Sequence, residues 1–126
     1  MTRSRRRAAV RRGRWAERLA ACWLLAKGYR ILDRNQRPPF GEIDLVARRG
    51  RLVALVEVKA RVSRAAALEA LRPMQQQRIA RAGAWYVARR PALHGLDVRC
   101  DLIVVPVWRR PIHLIDAWQR IEDRRS

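Results

Sequence analysis

Apolar positions along this chain change their period several times, and each change marks an element. From Arg14 to Lys27 the stretch RWAERLAACWLLAK is rich in Ala and Leu and runs into Gly28, a residue suited to the position just past a helix end. This predicts a first helix. Past Arg18 the stretch is apolar almost all round, which implies burial on more than one side. YRILDRN (29–35) reads as a strand, and QRPPF as a loop, because proline cannot donate to a sheet ladder. GEIDLVARR then alternates polar with apolar, RGR (49–51) has turn composition, and LVALVEVKA is a strand whose first half is apolar on both faces. The three strands predict a meander.

After Lys59 the segment ARVSRAA is loop-like. A helix with Pro73 near its first turn follows, through MQQQRIARAGAWYVARR, with Ile79, Ala82 and Tyr86 at helical spacing and Pro91 as its stop. The last third reads as a strand VRCDLIVVPV, a turn around Arg109 and Arg110, a strand IHLI and a short terminal helix DAWQRI. The expected order is α-β-β-β-α-β-β-α, one domain over 13–126 behind a flexible basic arm over 1–12.

Composition agrees with one domain: 126 residues, 49% of them apolar, can bury one core but not two independent ones. Charge changes the picture more. With 29 basic and 11 acidic residues the net charge is +18, far beyond what solubility needs, and it points to a polyanionic partner. Nucleic acid is the default. A membrane surface would call for a basic helix with a clean apolar face or a basic cluster beside a span, and the sequence has neither. Arg5, Arg6, Arg7, Arg11, Arg12 and Arg14 form the densest run, suited to following a phosphate backbone. Ser4 to Arg7 ahead of an apolar run resembles a twin-arginine export signal, but Glu17 and Arg18 interrupt it and the run ends early at Lys27. Cys22 and Cys100 lie in apolar stretches without zinc-site spacing and read as buried thiols in a reducing cytoplasm.

Against so few acids, Glu42, Asp44 and Glu57 fall within 16 positions, inside strands that otherwise look buried. Side chains alternate faces along a strand, so Glu42 shares a face with Asp44, and Glu57 with Lys59. An antiparallel hairpin around Arg49–Arg51 would set Asp44 nearly opposite Glu57. Like charges so placed are destabilising unless something positive sits between them, and Mg²⁺ or Mn²⁺, which prefer oxygen ligands, answer that need. The carbonyl of Val58 could add an oxygen. Lys59 would then orient or help deprotonate a water and stabilise charge on a phosphate. Arginine occurs 27 times and lysine only at Lys27 and Lys59, which makes the choice of an ammonium at 59 informative, whereas Lys27 reads as an ordinary partner of the helix dipole. The competing reading is a structural ion-pair network with the abundant arginines.

These segments, with GRWAE (13–17), GYRILDRN (28–35), GEIDLV (41–46), VEVKAR (56–61) and RCDLIVV (99–105), resemble the PD-(D/E)XK nuclease superfamily and, closely, the YraN family of uncharacterised bacterial proteins. The resemblance implies a restriction-endonuclease-like α/β fold with a central mixed sheet flanked by helices. It implies Asp44 and Glu57 as metal ligands and Lys59 as catalytic lysine. Such proteins are also similar to archaeal Holliday junction resolvases, in which a glutamate of the first helix completes the site; Glu17 matches it, though a glutamate early in a helix also suits the dipole. Glu42 is then expected to pair with an arginine and orient its neighbours. Asp101 is expected either as a helper carboxylate or as a partner of Arg99 or Arg61, and Arg61 as a nucleic-acid contact. Two departures stand out: Gln75 occupies a position where relatives usually carry lysine, and the loop after Lys59 lacks the usual glycine.

Trp15, Trp23, Trp85 and Trp118 fall on predicted helices among apolar residues and read as core, while Trp108, beside Arg109 and Arg110, is a candidate for stacking on a base. His94 and His113 make no metal pair. The expected activity is metal-dependent phosphodiester hydrolysis, on DNA ahead of RNA, with a nuclease-like binding module of little or no activity as the alternative. A junction resolvase would act as a homodimer, and the sequence leaves that open.

Overall fold

The computed structural model describes residues 3–37 and 41–118, with side chains from residue 13 onward. Helix α1 (Arg3–Ala26) leads into strands β1 (Arg30–Gln36), β2 (Ile43–Arg49) and β3 (Leu52–Lys59). Helices α2 (Arg64–Ala70) and α3 (Pro73–Ala88) and a single 3₁₀ turn (Pro91–Leu93) then cross to β4 (Asp97–Val104) and β5 (Ile112–Trp118). One sheet in the order β1-β2-β3-β4-β5 results, antiparallel throughout except for the parallel β3–β4 pair that the crossover creates. The meander is as the pattern predicts, and the mixed sheet as the resemblance implies.

Alternation along β2, β3 and β4 builds two cores. Leu45, Ala47, Ala54, Val56, Ile103 and Val105 meet α1, while Val46, Val53, Leu55, Leu102 and Val104 meet α3. Because β3 is covered on both faces, it reads as a continuous apolar run until Glu57. On one side Ala16, Ala20, Ala21 and Leu24 form a narrow stripe of α1 against the sheet. On the other, Gly83 lets α3 approach so closely that an added Cβ would lie 3.1 Å from Leu55 Cγ and 3.2 Å from Cδ2.

Four expectations are corrected. The helix begins at Arg3, not Arg14, so the backbone of the Arg-rich run is its first part; Arg and Ala are good helix formers and no proline intervenes. It buries one stripe only, leaving Leu25 53% accessible and Cys22 exposed, because nothing described packs on its outer side. The loop-like stretch after Lys59 holds α2, capped by Ser63, whose Oγ accepts the Ala66 N–H at 3.1 Å. Asp116 to Trp118 are strand, not helix: Trp118 pairs with Cys100 across a bulge and is 6% accessible, burial that a solvent-facing helix would forfeit. Residues 119–121 of that expected helix lie outside the described residues.

Gly28 does end α1. With φ at +90° it lets the Tyr29 N–H reach back to the Leu24 carbonyl at 3.0 Å, a Schellman closure. Among the described residues no helix is long and apolar enough to cross a membrane.

Candidate functional site

Leu45 faces Val56 in the β2–β3 ladder, so Asp44 and Glu57 occupy the next step of the register, on the face that α3 covers. Each carboxylate is held separately. The Val58 N–H donates to Asp44 Oδ2 at 2.9 Å, and the Gln75 side-chain amide, from the first turn of α3, donates to Glu57 Oε2 at 3.0 Å. The two carboxyl groups are near enough that Asp44 acts on the protonation of Glu57. Glu57 is 6% accessible, and its pKa is driven up to about 9 first by burial, then by Asp44, with Lys59 pulling the other way. Among the described residues neither acid lies within ion-pair distance of a Lys or Arg, in a chain with 29 of them.

Lys59 ends β3 half-buried, its carbonyl accepting the Val105 N–H at 2.9 Å. It borders an open cleft of ≈ 490 Å³, with exposed Arg61 also in the wall. Glu17, on α1, sits half-buried at the same end of the sheet. Its carboxyl is pushed up by burial and then by Asp44, with Glu42 adding, against lowering by the Asn35 side chain and Arg34. Among the described residues no group of three or more His, Cys, Asp or Glu is disposed as a metal cage.

Other expected residues lie elsewhere. Glu42 precedes β2 and is exposed, its Oε1 3.8 Å from Arg37 Nε, a surface pair of small energetic weight. Asp101 pairs in register with Val56 and therefore points to the α1 side, away from Glu57. There it is fully buried, accepting Arg99 Nε at 2.8 Å and Nη2 at 2.7 Å and the Asp116 N–H at 3.0 Å, with His113 Nε2 at 2.8 Å. Burial alone would raise its pKa, but the bonds from His113, Arg99 and Asp116 outweigh it and hold the carboxyl low. Lys27 Nζ extends this network, 2.7 Å from His113 Nδ1, which is more than a dipole partner does. The side chains of Arg5, Arg6, Arg7, Arg11 and Arg12 lie outside the described residues.

Neither the Gln75 contact, the Asn35 contact nor the exposure of Trp15 follows from the sequence pattern. Gln75 and Asn35 are neutral amides whose contacts are tertiary; Asn35 also carries φ of 52°, a left-handed position asparagine tolerates. Trp15, expected in the core, is 46% accessible and lines the cleft, while Trp108 is 96% accessible.

Comparison with known proteins agrees with the family resemblance. The chain belongs to the Uncharacterised protein family UPF0102, whose model matches residues 16–105. It is similar to a UPF0102 protein of Maricaulis maris, 53% identical over 118 residues that cover 94% of this chain and 92% of that one. It is also similar to a UPF0102 protein of Paramagnetospirillum magneticum, 53% identical over 116 residues (89% and 90% covered). One from Rhizobium meliloti is 47% identical over 115 residues (91% and 94% covered).

Proposed function

We propose that this UPF0102 protein is a metal-dependent nuclease of the PD-(D/E)XK kind, hydrolysing phosphodiester bonds in DNA. The observation that carries the reading is the nearness of Asp44 and Glu57, two carboxylates with no described Lys or Arg within ion-pair distance in a strongly basic chain. Excess acid of this type suits a hard divalent cation, which binds through one or two carboxylates and completes its shell with water and substrate phosphate. Mg²⁺ or Mn²⁺ there would polarise the phosphoryl group and favour an ionised water.

The remaining roles belong to the chain. Gln75 fixes the orientation of Glu57, and the Val58 amide fixes Asp44. Lys59, which lines the cleft and whose charge acts on Glu57, would donate to a phosphoryl oxygen or take a proton from water. Glu17, close enough to feel the Asp44 charge, is a further acid at the same end of the sheet.

Purified protein with Mg²⁺ or Mn²⁺ and a panel of single-stranded, duplex, flap and four-way-junction DNA tests this. Asp44→Asn and Lys59→Ala should each lower cleavage by about 10² or more. Activity unchanged in both variants would refute the assignment. One observation favours a second reading, a nuclease-like module that binds without cutting: no described third acid closes a cage around Asp44 and Glu57. Intact binding with no cleavage of any substrate would select it.

A further inference from the structure

The cleft beside Lys59 has a composition that catalysis alone does not explain. Its walls include Lys59 and Arg61 on one part and Trp15, Val62 and Val107 on others, and among the described residues none that lines it is acidic. Val62 is 81% accessible, Val107 51% and Trp15 46%, so a cluster of large apolar groups stands open next to two cations. Its ≈ 490 Å³ falls in the size range of pockets that enclose small molecules, about 300–1,000 Å³. A duplex cannot enter such a space. One nucleotide with its base unstacked can.

Gly13 supplies an independent observation. It sits inside α1, where glycine costs about 0.5–1 kcal/mol relative to alanine. Nothing in the fold asks for it: its φ is not positive, and a Cβ built there meets no atom within 4 Å. The open space it faces includes the cleft, which it lines. Glycine at 13 keeps that wall low.

We propose that this cleft holds an unpaired nucleotide of a nucleic-acid strand, the base against Trp15 and Val107 and the adjoining phosphate against Lys59 and Arg61. Charge complementarity selects this occupant, since two cations with no described carboxylate in the lining, in a chain of net charge +18, suit a phosphate beside a flat apolar base. The inference rests on the nuclease reading of the neighbouring carboxylates and adds substrate class: unpaired or splayed nucleotides at the site, in preference to continuous duplex.

Fluorescence anisotropy in EDTA, where no cleavage occurs, tests it with a labelled oligothymidylate, the same oligomer with abasic residues, an oligouridylate and a blunt hairpin of equal charge. Wild type should bind the oligothymidylate at least about fivefold more tightly than its abasic twin, the scale of one base–aromatic stack. Gly13→Leu, which fills the cleft while removing no existing side chain, should abolish that difference with an unchanged or higher melting temperature. Trp15→Ala should reduce it. The oligouridylate arm separates DNA from RNA as the source of the nucleotide. Equal binding of the base-bearing and abasic oligomers, tighter binding of the hairpin, or full base-dependent binding by Gly13→Leu would each overturn the proposal. Metal-dependent cleavage that persists in that event would leave the nuclease reading standing; base-dependent binding without any cleavage would do the reverse.

Discussion

Replacing Glu57 with glutamine probes the site without any substrate. Glu57 takes the Gln75 amide at 3.0 Å and lies near Asp44, whose proximity and the burial of the site favour its protonated form in metal-free protein. Glutamine preserves that geometry with a donor NH₂ at every pH. In the wild type, burial and Asp44 raise Glu57 from 4.5 to about 9. A carboxyl whose pKa is higher folded than unfolded binds its proton more tightly in the folded state, so stability is greatest below 4.5 and falls as pH rises towards 9. At about 1.36 kcal/mol per pKa unit, the interval from 4.5 to pH 7 costs the wild type up to about 3 kcal/mol. Urea denaturation in EDTA at about pH 5, 7 and 8.5 should therefore show Glu57→Gln nearly as stable as wild type at the lowest pH and more stable by up to that amount near neutrality. Millimolar Mg²⁺ should then raise the wild-type midpoint and leave the variant's unmoved. Equal stability of the two proteins at every pH, or a less stable variant near neutrality, would refute the reasoning.

Gly83→Ala should destabilise by about 1–2 kcal/mol, since overpacking against Leu55 exceeds the gain in helix propensity, and combined with Leu55→Ala it should cost less than the two changes added; additivity in urea would deny the contact. Asp101→Asn leaves Arg99 buried without its carboxylate and should cost about 3–5 kcal/mol at pH 7, read by thermal melting. Because the Asp101 carboxyl is depressed below 3.8, that contribution is present above 3.8 and fades as pH falls further, so the gap between wild type and variant should narrow in acid. Gel shifts across a salt series should give a log–log slope of about −5 if about six phosphates are neutralised; a slope near zero would remove nucleic acid as the partner.

Much of the fold was legible where periodicity and turn chemistry agree. The β2–β3 hairpin follows from alternation in GEIDLVARR and the turn at Gly50, and it alone sets Asp44 against Glu57. What escaped depends on contacts between distant segments. Trp118 lies in a strand because Cys100 pairs with it, and no local pattern in DAWQRI records that. The Arg-rich start could not be told from an arm, since its residues form helix readily while their charges also suit an extended chain. Gln75 approaches Glu57 only through the docking of α3, and Trp15 reads as core until the cleft beside it is seen. Asp101 was placed on the right strand, but its face could be fixed only by register against Val56.

The position of β3 carries a consequence for motion. It is the middle strand of five, paired on both edges over Leu52–Val56 and covered by helices on both faces, so amides there are expected to exchange with solvent only on large-scale opening of the sheet. Glu57 and Lys59 directly continue that segment, still paired with β4. Trp108, 96% accessible in the β4–β5 turn, lies outside that strand, and amides there are expected to exchange far faster. The spacing of Glu57 and Lys59 is thus set by the central strand, apart from the exposed turn that carries Trp108.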